Sequence, residues 1–335
     1  MFRAKNLRIW LTELQPRKRN NNFLKIKSLG ILSEAFYLFS CLDKNIKIDK
    51  FWLVWFKKLR AKVDVVSLTS VGMVRKNNED SCLIIPSWSS LAIKKRICVF
   101  AVADGMGGEN SGEVASKIAV DCVKKWINRF SSELLTVAEI EEMFSFINNE
   151  IWDHANKFPE TKGMGTTLTI VVLKDNVAIV GHIGDSRLYR IRNDVMEQLT
   201  NDHSLVAEQV KNGKISREEA RNHSSRHILS RVLGGRQFVV PDIFEIKIEK
   251  DDLYFMCTDG VYGMISDCDI KKKINAANIE NMAAAVIEAA NSAGGKDNST
   301  AVFFKINGLP VDFPGYFSIS RLKSYFKTKD MVGFI

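Results

Sequence analysis

The chain has 335 residues, 46% of them apolar and 26% charged, with only six prolines. That composition excludes a disordered or fibrous protein and leaves room for one large globular domain or two small ones. The net charge of +9 is unevenly placed: residues 1–62 hold 15 Lys and Arg against 4 Asp and Glu, and the remainder 33 against 35. Basicity therefore belongs to an N-terminal extension, and no nucleic acid is expected on the body of the protein.

Residues 1–62 read as a separate basic and aromatic appendage. Arg8, Glu13 and Arg17 interrupt its early apolar residues, so no signal peptide is expected, and Gly30 to Leu42 carries Glu34 and is too short to span a bilayer. On a helix, Phe51, Trp52, Trp55, Phe56 and Leu59 share one face next to a basic run. Such a face suits a membrane surface or an acidic protein partner; packing on the neighbouring domain is the plainer reading. The six cysteines (Cys41, Cys82, Cys98, Cys122, Cys257 and Cys268) show no metal-ligand spacing, and several lie in apolar runs. Reduced thiols in the cytoplasm are expected.

From Asp64 the pattern changes to short β-like runs: Val65–Val71, Cys82–Ile85 and Ile97–Ala103. Two long helices follow, Ser111–Phe130 with Val114, Ile118, Cys122 and Trp126 on one stripe, and Val137–Phe158 with Ile140, Met143, Phe144, Ile147 and Ile151 on another. Strands are predicted at Thr166–Leu173, Val177–His182, Arg187–Ile191 and Val195–Leu199. Asn201–His227 is a polar, helical insertion. Strands resume at Phe238–Ile248 and Leu253–Cys257, then helices at Asp267–Asn275 and Ile279–Asn291, and a last strand at Thr300–Ile306. The spacing is too tight for βαβ crossovers and argues for antiparallel sheets flanked by helices, an α+β fold. The tail from Asn307 to Ile335 has no clear period.

Four acidic motifs sit beside these runs: RKNNED (Arg75 to Asp80), VADGMGGENSG (Val102 to Gly112), CTDG (Cys257 to Gly260) and GGKDN (Gly294 to Asn298). Any one alone would be a turn. In series they offer carboxylates at strand ends, with glycines that let backbone come close, which is what hard divalent cations need. Asp104, Asp259 and Asp297 are the candidate ligands, with the Gly105 carbonyl. Oxygen ligands favour Mg²⁺ or Mn²⁺ over zinc. Arg75 can grip two phosphate oxygens at once.

With SVGMVRKNNED, GMGTTLTIVVL, GHIGDSRLYRI, LSRVLGG and FMCTDGVYGMI in the same order, residues 63–306 resemble a metal-dependent Ser/Thr protein phosphatase of the 2C type (the PPM family), in its bacterial form. The resemblance implies a four-layer αββα sandwich, two antiparallel β-sheets with the metal site at their edge and helices outside. It implies hydrolysis of phosphoserine and phosphothreonine on proteins by a bridging metal-bound hydroxide, opposing a Ser/Thr kinase, with no phosphoenzyme. Arg75 would bind the phosphate, Asp104 would bridge two Mn²⁺ or Mg²⁺, and Asp80 and Glu79 would act directly or through water. Asn298 would orient its loop.

Asp185 resembles a ligand of a third metal, but Gly263 stands where the family supplies another ligand, so a weak or absent third site is expected. A turn residue paired with Arg187 is the equal alternative. Met106 replaces the histidine that some animal members carry after the DG. Residues 201–227 would be a flap, with Ser224 in place of the usual proline; His203 and His223 belong to it. The alternative function is a pseudophosphatase that scaffolds phosphoproteins without turnover.

Overall fold

The computed structural model describes residues 62–85, 97–107, 111–129 and 136–309. The readings made for residues 1–61 and for the tail beyond 309 lie outside them. Strands β1 (Lys62–Ser70), β2 (Asp80–Ile85) and β3 (Ile97–Met106) lead to helices α1 (Ser111–Arg129) and α2 (Val137–Lys157). Then come β4 (Gly165–Thr166), β5 (Leu168–Lys174), β6 (Val177–Ile183), β7 (Arg187–Arg192) and β8 (Val195–Gln198). Short helices α3 (Leu205–Lys211) and α4 (Arg217–Asn222) precede β9 (Asp242–Lys247) and β10 (Leu253–Cys257). Helices α5 (Asp259–Tyr262), α6 (Asp267–Ala276) and α7 (Ile279–Ser292) lead into β11 (Ser299–Gly308).

The strands form two antiparallel sheets, ordered β1-β11-β10-β7-β8 and β2-β3-β5-β6-β9, with β4 paired to β3. Side chains alternate across a strand, and here both faces are covered. On β3, Val99, Ala101 and Ala103 pack with Ile140, Phe144 and Ile147 of α2, while Cys98, Phe100 and Val102 face the other sheet. On β11, Val302, Phe304 and Ile306 face inward, and Ala301 and Phe303 pack with Ile270 of α6 and Val286 of α7. Burial on both faces explains why ICVFAVA and STAVFF read as near-continuous apolar runs. The layers are helix, sheet, sheet, helix, as expected.

The Phe100 and Phe304 rings stack between the sheets, 4.1 Å apart at 5°. Phe100→Ala is expected to cost about 3–5 kcal/mol, the usual price of an emptied aromatic site; a denaturant titration measures it.

Three predicted elements change. The first of the long strands extends through Met106, so Asp104 and Gly105 lie within β3 rather than after it. The run Thr166–Leu173 breaks at Thr167, whose hydroxyl accepts from the Asp104 amide at 2.9 Å. Phe238–Pro241 is not strand: Pro241 has no N–H to give a ladder, β9 begins only at Asp242, and Phe238 is exposed.

Candidate active site

Two carboxylates from each sheet meet at one edge of the sandwich. Asp80 opens β2 directly across the ladder from Asp104 on β3. In the other sheet, β10 ends at Cys257 and Asp259 opens α5, while Asp297 and Asn298 immediately precede β11. Asp80 crosses the seam: its Oδ2 accepts from Thr258 Oγ1 at 2.9 Å and from Thr300 Oγ1 at 2.7 Å. Its Oδ1 is buried with no hydrogen-bond partner. The Asp104 and Asp259 carboxyls lie close enough for each to act on the other's ionisation.

Backbone holds the rest. The Asp104 carbonyl accepts from Thr167 N and Thr166 Oγ1, both at 2.9 Å. Gly105 N donates to the Glu79 carbonyl at 3.1 Å, and a Cβ on Gly105 would lie 2.0 Å from the Gly112 carbonyl at the start of α1. No side chain fits there. Asn298 ties the motifs together: its Oδ1 accepts from Glu79 N at 2.8 Å, and its Nδ2 donates to the carbonyls of Val71 (3.0 Å) and Asn77 (2.8 Å). Arg75, half exposed, donates from Nη2 to Asp297 Oδ2 at 2.8 Å.

Burial pushes these carboxyls up. Asp80 rises to about 7 despite the two threonine hydroxyls, Asp259 to about 7 with Asp297 and Asp80 nearby, and Asp185 to about 8. Asp104 rises well above its ordinary value through burial and then through Asp80 and Asp259. A folded chain whose carboxyls titrate high binds protons more strongly than the unfolded chain, so stability falls as pH rises through that window. From roughly pH 4, where the unfolded carboxyls ionise, to about 8, these groups make the chelated protein melt at progressively lower temperature, and Mn²⁺ is expected to restore more stability at the upper end. The buried His182, pushed down from 6.5 to about 4 mainly by desolvation, opposes part of this fall over the lower half of the range. Thermal melts with chelator and with Mn²⁺ across pH measure the net slope.

The donor set fits hard cations. Clustered buried carboxylates with an unpartnered Asp80 oxygen are costly unless a positive charge joins them. Among the described residues, no group of three or more Asp, Glu, His or Cys forms a ready-made closed cage. Mg²⁺-like ions keep several waters and need only one or two carboxylates each, so an open arrangement suits them.

Comparison with known proteins decides the family. The family model described as protein phosphatase 2C matches residues 75–297. The chain belongs to the protein phosphatase 2C family. The serine/threonine phosphatase stp of Listeria innocua is 35% identical to this phosphatase over 245 residues, 71% of this chain and 94% of that relative. Protein phosphatase PhpP of Streptococcus pneumoniae is 34% identical over 250 residues, 73% of this chain and 98% of that relative. Among solved structures, the Mycobacterium tuberculosis serine/threonine phosphatase PstP/Ppp superposes with a TM-score of 0.65 at 31% identity, covering 73% of this chain and 98% of that one. The catalytic domain of PstP in complex with 2 manganese ions gives 0.64 at 30%, covering 72% and 97%.

Beside the carboxylate edge, the phosphatase departs from its sequence reading. Among the described residues Arg187 forms its ion pairs with Asp202 and Asp267, and it acts on Asp185 through its charge. Asp185 Oδ2 accepts from the Tyr262 hydroxyl at 3.1 Å. The Arg187 guanidinium stacks 3.6 Å from the centre of the Tyr262 ring and grips Asp202 through Nε (3.0 Å) and Nη2 (2.7 Å). Tyr262 drew no attention in the sequence; its only signal was a large aromatic three residues after Asp259.

The insertion is helical as expected, in two short capped helices. Ser204 caps α3, and Ser216 with Glu219 forms a capping box on α4. His203 is buried, with Nδ1 accepting from Gly184 N at 3.2 Å and Nε2 3.1 Å from Asp242 Oδ2. His223 Nδ1 accepts from Ser225 N at 3.1 Å. The histidine that faces the carboxylates is His227, which the sequence reading did not single out: its Nδ1 is 3.9 Å from Asp259 Oδ2. Met106 ends β3 and pairs with Gly165.

Proposed function

We propose that this chain hydrolyses phosphoserine and phosphothreonine on proteins and opposes a Ser/Thr kinase. The observation that carries this reading is the convergence of carboxylates from both sheets at one edge, beneath the Arg75 guanidinium, with one buried oxygen of Asp80 left without a partner. Membership of the protein phosphatase 2C family supports it, as do relatives named as serine/threonine phosphatases.

Asp80, Asp104, Asp259, Asp297 and the Gly105 carbonyl would hold two Mn²⁺ or Mg²⁺. Such ions, when bound, make a water acidic enough to attack at neutral pH and neutralise phosphoryl oxygens. The chain's own residues do the rest. Arg75 offers a planar fork to the phosphoryl group, and Asp297 fixes its direction. Asn298 holds the Glu79 backbone against the last motif, so the arginine-bearing loop and the Asp297 loop keep one spacing. Thr258 and Thr300 aim Asp80. Beside Asp185, the Tyr262 hydroxyl already satisfies one carboxylate oxygen, and Gly263 brings no ligand. This favours a two-metal enzyme with a weak or absent third site.

The phosphatase works in the cytoplasm on this reading, and residues 1–62 tether it to a membrane surface or a protein. No helix among the described residues is long and apolar enough to cross a membrane. The deciding experiment is phosphate release from a phosphothreonine peptide with Mn²⁺, wild type against Asp259→Asn. Mn²⁺-dependent turnover that the substitution abolishes is the expected result. Wild-type protein that binds Mn²⁺ and peptide without releasing phosphate would overturn the reading.

A further inference from the structure

The flap holds one side chain over the carboxylate edge that the mechanism above does not use. His227 sits in the turn after α4, its side chain 62% exposed and its Nδ1 3.9 Å from Asp259 Oδ2. Asp297 and Arg75 both act electrostatically on the ring. At that exposure and distance, an ion pair with Asp259 alone would stabilise the fold very little.

The turn that carries the ring is nonetheless fastened. His223 Nδ1 accepts from Ser225 N at 3.1 Å, Arg226 N donates to the His223 carbonyl at 3.2 Å, and Ile228 N donates to the Ser225 carbonyl at 3.1 Å. The exit strand is tied to the flap's root. Leu205 N donates to the Ile228 carbonyl at 2.9 Å, Ser204 bridges Leu229, and Ser230 N donates to the His203 carbonyl at 2.8 Å. An open imidazole on a pinned turn, 3.9 Å from Asp259 and within reach of the charges of Asp297 and Arg75, is placed beside whatever the carboxylate edge takes up.

We propose that His227 contacts the substrate, donating an imidazole N–H to a phosphoryl oxygen alongside Arg75. The proposal rests on the phosphatase reading and adds a flap-borne residue to it. A phosphomonoester presents three terminal oxygens, and the guanidinium fork can take two of them. A neutral imidazole keeps one N–H in either tautomer, so the contact needs no charged ring. Binding energy from this donor makes the flap part of substrate recognition.

The test uses the full chain with Mn²⁺ and three proteins: wild type, His227→Ala and His227→Gln. Wild-type turnover of a phosphothreonine peptide is measured first and stands as the separate check on the phosphatase reading. His227→Ala is then expected to lose about tenfold in kcat/KM, mostly through KM, the size of one hydrogen bond to a charged group. Inorganic phosphate, titrated calorimetrically into the Mn²⁺-loaded protein, is expected to bind more weakly by a similar factor. His227→Gln, which keeps a donor, recovers most of both, and the Mn²⁺ dissociation constant stays unchanged in all three. Unchanged KM and unchanged phosphate binding in His227→Ala overturn the proposal. So does weakened Mn²⁺ binding with phosphate affinity retained, which would make the ring a metal ligand. The phosphate titration decides the contact even for a protein without turnover.

Discussion

Asp104→Asn is expected to lower Mn²⁺-dependent turnover by about 1000-fold, in the range seen when a principal electrostatic stabiliser is removed, while raising the melting temperature of the chelated protein at pH 8. The two effects share one cause. Asp104 is buried opposite Asp80, and burial, Asp80 and Asp259 all oppose its ionisation when no cation is bound. Asparagine has the same shape and no charge. The backbone around it stays held, because Thr166 and Thr167 bond the Asp104 carbonyl and amide rather than its side chain. The carboxylate is therefore kept for the cations at the expense of the metal-free fold. Phosphate-release assays and chelated thermal melts on the same preparation check the pair. Loss of both activity and metal-free stability would show instead that the carboxylate has a structural role.

Arg75→Lys is expected to cost on the order of 10- to 100-fold in kcat/KM, with KM carrying most of it. Lysine keeps the charge but not the fork that lies flat against a phosphoryl group. Arg75→Ala should lose more, because it also releases Asp297, whose Oδ2 the guanidinium holds at 2.8 Å. The separation between the variants reports how much of the arginine's work is geometry. Steady-state kinetics with one phosphothreonine peptide, together with a Mn²⁺ titration of each variant, measure it. Equal kinetics for lysine and arginine would argue against a bidentate grip.

The layers were legible because burial on both faces of a strand leaves long apolar runs, and because α1 and α2 carry single stripes. The carboxylate ring was legible for a different reason: its members lie at strand ends in short motifs with glycine beside them. What escaped was everything set by contacts distant in sequence. Thr258 and Thr300 stand next to recognised residues, yet their hydroxyls meet Asp80 only after the two sheets pack. Tyr262 was not singled out and Arg187 was considered only as a partner for Asp185; the stacking of the two depends on how α5 leaves β10. His227 lies in a polar stretch without periodicity, where sequence cannot say which of several histidines comes to face the carboxylates. Phe238–Pro241 misled because β-branched residues imitate a strand before a proline.

The seam at this edge is fastened by hydroxyls on a carboxylate, and deeper in by stacked rings and aliphatic side chains. A ligand held by both sheets acts there as a rivet, and removing it weakens the interlayer joint at this edge. A protease offered the chelated and the Mn²⁺-loaded chain should therefore cut the chelated one sooner, and first around the loops 71–79 and 293–298. The lifetime of the molecule then follows the supply of divalent ions, independently of how much substrate it meets.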